Sequence, residues 1–203
     1  MTYYAKNAFL TDAEMEVNAR YIYTELTARG WSPQAVCGML GNMETESTIN
    51  PAIWQNLDEG NVSLGYGLVQ WTPSTKYTGW CNARGYDPAT MEAALARIEW
   101  ELENGEQYYP TANHPLTFAE FKVSTASPAY LALAFLANYE RPAEPNQPQR
   151  AEQATRWYNL LAGSGGSGGD DSGEGGGGNT SPSKPIKNKP LPLLLILAAT
   201  RRR

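Results

Sequence analysis

The chain has 203 residues and a formal net charge of −5, and its charge is uneven, since residues 1–162 hold −8 and residues 163–203 hold +3. The acidic body excludes a nucleic-acid-binding surface, because that affinity comes mainly from neutralising phosphates. One His and two Cys exclude a disulfide framework and most zinc sites, and we expect neither a metal nor any other cofactor.

Two helices are predicted in the first part of the chain. Residues 11–14 (TDAE) form a capping box, and apolar residues follow at helical spacing as far as Gly30. Ser32 and Pro33 supply an N-cap and a first helical residue for the second helix. Apolar side chains occur nearly all round this second helix, which predicts that it is buried.

The pattern changes between residues 50 and 85. Residues 56–61 (NLDEGN) have turn chemistry, and residues 65–71 (GYGLVQW) are short, apolar and interrupted by glycine. We predict a small β-hairpin lobe here.

Helical signals then return and continue to residue 161. They are Asp87 with Pro88, a second capping box at residues 117–120 (TFAE), Ser127 with Pro128, and an amphipathic segment at residues 149–161. We therefore predict a mainly α-helical domain of α+β class over residues 1–162.

Two further segments follow this domain. Residues 163–190 are rich in Gly, Ser, Pro and Lys, which predicts a disordered linker, and residues 191–203 are a short apolar segment that ends in three Arg. The apolar segment is well short of the roughly 20 residues of a membrane-spanning helix. A disordered tail and a tail that makes weak membrane contact are both consistent with it. The opening residues do not resemble a secretory signal peptide, so we expect free cysteines and release by another route.

Glu46 is the first candidate for chemistry. It ends the buried second helix, and Ser47 and a chain-reversing Asn50-Pro51 follow it. Apolar surroundings and the negative end of the helix dipole both favour the neutral carboxyl. A carboxyl that keeps its proton near neutral pH suits general acid catalysis, although most glutamates at helix ends are only surface residues. Glu44 is expected to be solvated and is given no role.

Five short motifs carry a resemblance to a known family. They are residues 40–43 (LGNM), 46–47 (ES), 49–51 (INP), 65–73 (GYGLVQWTP) and 138–142 (NYERP). Their order resembles the three-part signature of the goose-type lysozyme and lytic transglycosylase superfamily. The match is closer to the phage tail lysozyme family, from tail-knob proteins of small phages of Gram-positive bacteria, and it extends over about residues 18–161.

This resemblance implies a lysozyme-like fold that cleaves the β-1,4 bond of peptidoglycan between N-acetylmuramic acid and N-acetylglucosamine. Glu46 matches the general acid of the family. Ser47, Tyr66, Gln70 and Trp71 are predicted to line the glycan-binding groove. Gln70 then bonds the N-acetyl group or Glu46, or else is a buried amide that ties two loops together. Tyr139 is predicted to orient Glu46, and simple core packing is its alternative role.

The sequence offers one candidate for a second catalytic group. Glycoside hydrolysis usually needs another carboxylate, and Asp58 in the lobe is the candidate. Asp58 before a glycine is also typical of a residue that caps its own turn. Because several members of the superfamily use one essential Glu and form an anhydro product, hydrolysis and lytic transglycosylation both remain open.

Three kinds of protein fit these observations. The first is a phage tail lysin, located in the virion tail or released to the wall, with glycan strands and other tail proteins as partners. The second is a lysin or lytic transglycosylase of a prophage or conjugative element. The third is a non-catalytic wall-binding tail protein, and the presence of Glu46 with its neighbours argues against it.

Overall fold

Local hydrogen bonds begin the helices where the sequence predicts. In the computed structural model, which describes residues 2–163, Thr11 and Thr117 each complete a capping box. Ser32 and Ser127 each accept a hydrogen bond from a backbone N–H three residues later. These caps depend only on near neighbours in sequence, and the predicted mainly helical fold class is confirmed.

Seven α-helices make up about half of the described chain. They are α1 (Asp12–Ala28), α2 (Pro33–Ser47), α3 (Thr75–Asn82), α4 (Met91–Glu103), α5 (Phe118–Val123), α6 (Pro128–Phe135) and α7 (Gln149–Leu161). A 3-10 turn at Gln55–Leu57 and a π-helical turn at Leu136–Glu140 complete the regular structure. Helix α4 begins later than the Asp87 signal predicts, because its N-cap is Thr90. Asp87 instead accepts a hydrogen bond from the backbone N–H of Ala89 in the preceding turn.

Helix α2 lies at the centre of the fold, as its apolar composition predicts. It packs against α1, α5, α6 and α7, and its residues from Ala35 to Met43 are all buried. Two glycines allow the closest contacts. A Cβ on Gly38 would lie 2.9 Å from the Cβ of Leu131 in α6, and a Cβ on Gly41 would lie 2.3 Å from the carbonyl oxygen of Arg150 in α7. The two helices therefore meet α2 almost backbone to backbone.

The predicted β-hairpin lobe forms isolated bridges rather than regular strands. Tyr66 makes one antiparallel bridge to Trp54 and another to Trp71. Positive φ angles at Asn56, Leu57 and Gln70 interrupt the extended backbone that a strand ladder needs. The lobe is held instead by stacked aromatic rings, described below.

Gly41→Ala is expected to destabilise the protein by about 1–3 kcal/mol, because the new methyl group overlaps backbone atoms of α7 that cannot move aside cheaply. Gly79→Ala is the matched control, since a Cβ there meets nothing within 4 Å and alanine favours the helix. Urea unfolding of both variants measures the difference. Equal stability of Gly41→Ala and wild type would contradict the close crossing of α2 and α7.

The two cysteines lie in the described part of the chain, whereas most of the predicted linker and all of the tail lie outside it. Cys37 and Cys81 are both buried and free, and burial raises the pKa of the Cys37 thiol to about 12. Within residues 2–163, no helix has the length and apolar character that crossing a membrane requires. The predicted linker and tail lie outside the described residues, apart from Gly163.

Candidate active site

The end of α2 places Glu46 where a buried helix meets the lobe. The chain reverses directly after the helix through Thr48 and Ile49, whose φ angles are 53° and 54°. Positive φ is rare for β-branched residues and persists only where the surroundings impose it. Here the Thr48 hydroxyl oxygen accepts from the N–H of Leu10 at 3.0 Å, and Asn18 donates to the carbonyl of Ile49 at 2.8 Å. This strained corner fixes the position of the helix end.

The Glu46 carboxyl is paired with a buried guanidinium. Nη2 of Arg150 donates to Oε1 of Glu46 at 2.6 Å, and the side chains are 3% and 15% exposed, respectively. The wholly apolar setting predicted from the sequence is therefore wrong, because α7 crosses α2 at this point and brings a charge to it. Within residues 2–163, no hydrogen bond is made to the other oxygen, Oε2.

Arg150 is itself fixed by two amide side chains. Its Nε donates to Oε1 of Gln147 at 2.7 Å, and its Nη1 donates to Oδ1 of Asn42 at 3.0 Å. The buried amide nitrogen of Asn42 donates in turn to the carbonyls of Gly38 and Ala132, both at 3.0 Å. The guanidinium therefore has little freedom.

Ser47 joins the helix end to the lobe and does not face solvent. Its hydroxyl lies 2.9 Å from the carbonyl oxygen of Met43 and 2.8 Å from that of Leu68, and it also accepts from the N–H of Asn50. The side chain is 1% exposed. Ser47 thus positions its neighbour Glu46 against the lobe. The burial of Ser47 argues against the predicted direct contact between Ser47 and the glycan.

Tyr66 and Trp71 lie in the core of the lobe rather than on an open groove. The Trp71 ring is 1% exposed and stacks on Tyr77 with centroids 4.2 Å apart. Tyr66 is buried between Tyr77 and Trp54, at 6.1 Å and 4.6 Å. The structure corrects the prediction that these two rings are open to a sugar, because in so small a lobe aromatic rings supply the core. Trp54 is the half-buried member of this stack.

Gln70 is buried with one polar atom unsatisfied. Its Nε2 donates to the carbonyls of Gly67 at 3.0 Å and Ile53 at 3.2 Å, which ties two loop segments together. Its Oε1 is buried and has no hydrogen-bond partner in the described residues. The residue also has a φ of 48°. The two bonds that Nε2 donates favour the loop tie among the roles predicted for Gln70, and the ligand contact stays a prediction because the unpaired acceptor is buried.

Asp58 is exposed and engaged in its own turn. Its Oδ2 accepts from Nδ2 of Asn61 at 2.8 Å, and its carbonyl accepts from the Asn61 N–H at 3.2 Å. These local contacts favour the turn-capping interpretation of Asp58 over the role of second catalytic carboxylate.

Sequence reasoning missed Glu101, the most buried carboxylate near the predicted motifs. Glu101 is 1% exposed and accepts from Nε1 of Trp71 at 3.0 Å, from Nε of Arg97 at 2.9 Å and from the Tyr139 hydroxyl. Burial raises its pKa, and these three donors oppose the rise. Its position three residues after Ile98, on the apolar face of α4, was the available signal.

Tyr139 therefore serves a different carboxyl from the one predicted. Its hydroxyl proton is directed to Glu101, and its ring stacks on Phe135 with centroids 4.4 Å apart. Tyr139 was predicted to orient Glu46, but this hydrogen bond joins it to Glu101 instead. Tyr139 and Trp71, from two separate motifs, instead meet at Glu101.

A cavity of about 640 Å³ lies beside Gln147, one of the residues that hold Arg150. Its lining includes Gln147 and Ala151 on either side of Arg150 in sequence, apolar Leu133 and Leu136, and His114. Burial lowers the pKa of His114, and its Nδ1 has no hydrogen-bond partner in the described residues. The cavity is large enough to take part of a bound ligand.

A central apolar helix that presents a glutamate beside a small irregular lobe defines a lysozyme-like helical domain. The sequence model of the phage tail lysozyme family matches residues 17–161, and the chain belongs to this family. Morphogenesis protein 1 of Bacillus phage B103 is 57% identical to it over 163 residues, which cover 80% of this chain and 44% of that protein. The chain thus corresponds to less than half the length of that relative.

Proposed function

We propose that this chain is a peptidoglycan glycosidase that cleaves the β-1,4 bond between N-acetylmuramic acid and N-acetylglucosamine, with Glu46 as the general acid. The observation that carries the proposal is the geometry of Glu46 within the matched family region. Its carboxyl lies at the strained end of a buried helix, with one oxygen held by Arg150 and the other without a hydrogen-bond partner among residues 2–163. Groups that are positioned but incompletely satisfied are typical of catalytic sites.

The proposed reaction begins with proton transfer from Oε2 of Glu46 to the glycosidic oxygen. The bond from that oxygen to the anomeric carbon then breaks, and the leaving sugar departs as an alcohol. Glu46 becomes a carboxylate, which the buried guanidinium of Arg150 stabilises. A nucleophilic hydroxyl next attacks the anomeric carbon and returns its proton to Glu46.

Lytic transglycosylation is the second candidate, and one observation favours it. Asp58 is exposed, and its Oδ2 accepts a hydrogen bond from Asn61 within its own turn, which favours a turn cap over a catalytic base. When the attacking hydroxyl belongs to the sugar itself, the reaction needs no second carboxylate to activate water. The product then carries an anhydro end instead of a reducing end.

The biological setting that we propose is a phage tail that opens the host wall. The chain belongs to a family of phage tail lysozymes, and its relative from phage B103 is named as a morphogenesis protein. Glycan strands are the proposed substrate, and other virion proteins are proposed partners.

Product analysis tests the proposal. Purified Gram-positive walls are incubated with the protein, and the soluble muropeptides are examined by mass spectrometry before and after borohydride treatment. Reducible muramic acid ends are expected for hydrolysis, whereas anhydro ends resistant to borohydride indicate transglycosylation. Reducible glucosamine ends would contradict the assigned bond. Sedimentation of the protein with intact walls, without any soluble product, would contradict catalysis and favour a wall-binding protein.

A further inference from the structure

We propose that Arg150 is a positioning residue for glycan cleavage: it holds Oε1 of Glu46 so that Oε2 is presented to the glycosidic oxygen. This inference rests on the proposed function, because it assigns a role to Arg150 only if Glu46 is the acid. Arg150 lies on α7, after the last of the predicted motifs, and the sequence analysis gives it no role.

The contact between the two side chains is short and shielded from solvent. The Nη2–Oε1 distance is 2.6 Å, and the Arg150 side chain is 3% exposed. An ion pair exposed to water contributes little fixed geometry, whereas a buried charge-assisted hydrogen bond is short and directional. The pair therefore restricts the Glu46 carboxyl to one orientation.

The guanidinium can impose this orientation because its two other nitrogens, Nε and Nη1, also donate hydrogen bonds. Gln147 accepts from Nε, and the fully buried Asn42 accepts from Nη1. The backbone is fixed as well, since a Cβ on Gly41 would lie only 2.3 Å from the Arg150 carbonyl oxygen. A planar fork in which each of the three nitrogens donates a hydrogen bond is a rigid support, which a flexible lysine cannot reproduce. Such supporting contacts are what keep a catalytic group within about 0.5 Å of its productive position.

The same helix pair contains a second ion pair that serves as an internal comparison. Arg156 of α7 bonds Oε2 of Glu44, a residue of α2 that lies two positions before Glu46. Glu44 also accepts from Nε1 of Trp157 at 2.7 Å, so it was wrongly expected to be solvated. Arg156 and Arg150 thus both join α7 to α2 through a carboxylate, but only Arg150 touches Glu46.

The proposal is tested by measuring kcat and KM of four variants on soluble glycan fragments. The variants are Arg150→Gln, Arg150→Lys, Arg156→Gln and Gln147→Ala. Arg150→Gln is expected to lower kcat about tenfold to a hundredfold with KM changed less than twofold, because the acid is misplaced while the glycan still binds. Arg150→Lys is expected to recover part of that loss. Gln147→Ala loosens the guanidinium without removing it and is expected to lower kcat severalfold. Arg156→Gln is expected to leave kcat unchanged.

The outcomes separate this inference from the proposed function. If Glu46→Gln is inactive but Arg150→Gln and Gln147→Ala keep the wild-type kcat, the positioning role is refuted and the proposed function stands. If Glu46→Gln remains active, the proposed function fails. Equal losses in Arg150→Gln and Arg156→Gln would mean that both arginines only join the helices. Should Arg150→Gln fail to fold, as its melting curve would reveal, Gln147→Ala and Arg150→Lys decide the question alone.

Discussion

Glu46→Gln is expected to lower the rate of glycan cleavage by roughly 10²–10⁴-fold, the usual contribution of a positioned general acid. The amide has nearly the same shape as the carboxyl, and its oxygen can still accept a hydrogen bond from Arg150. It has no proton that it can give to a leaving oxygen. The loss should therefore appear in kcat, measured as the release of new sugar ends from purified walls.

Glu44→Gln is the matched control for this experiment. It makes the same substitution on the same helix and also removes one ion pair between α2 and α7. Its activity is expected to stay within twofold of wild type. Retained activity in Glu46→Gln would show that another group supplies the proton, and equal losses in both variants would point to damage at the helix crossing instead of lost chemistry.

Interactions between near neighbours in sequence could be predicted, because their geometry follows from the local backbone alone. The capping boxes at Thr11 and Thr117 are examples, and each joins residues three apart. The burial of α2 was also predictable, since an apolar surface on all sides of a helix leaves no side for water. The interpretation of Asp58 as a turn cap depended on the same kind of local chemistry.

The partners of the site residues could not be predicted, because they come from distant parts of the chain. Arg150 follows Glu46 by 104 residues, and their contact depends on how α7 crosses α2. Helical periodicity identifies the buried face of α7 but not the residue of α2 that it meets. The charge beside Glu46, which reverses the expected apolar setting, was therefore invisible in the sequence.

The sequence could not show whether the aromatic residues of the lobe form its core or line a groove, and the reason differs from the one that applies to Arg150. A tryptophan or tyrosine has the same chemical character in a core and in a sugar-binding groove, so residue type alone does not distinguish the two. Trp71 became a core residue because its ring is covered by Tyr77 and its N–H is taken by Glu101. The carboxylate of Glu101 lies on α4, outside the lobe, so this contact could not be predicted from the sequence of the lobe.

Glu101→Ala is expected to destabilise the fold by about 3–5 kcal/mol, because it removes the shared acceptor of three buried donors, one of which is the charged guanidinium of Arg97. The change leaves three donors, from Trp71, Arg97 and Tyr139, without their acceptor in the interior. Because Trp71 belongs to the lobe and Tyr139 to the π-helical turn, both should loosen together. Glu103→Ala, on the exposed end of the same helix, is expected to change stability by no more than about 0.5 kcal/mol.

The pH dependence of unfolding provides the second measurement on Glu101. Burial raises its pKa in the folded protein above its ordinary value of 4.5, so the folded state binds a proton that the unfolded state has already released. This proton contributes its full stabilisation at pH values below the pKa of Glu101 in the unfolded chain. The contribution is lost as pH rises through the pKa of Glu101 in the folded protein. Glu101→Gln cannot titrate, so in urea unfolding the wild type should lose stability relative to this variant as pH rises above the ordinary pKa of 4.5. A difference that does not change over this range, or that changes in the opposite direction, would mean that the donors from Arg97, Trp71 and Tyr139 outweigh the cost of burying the charge.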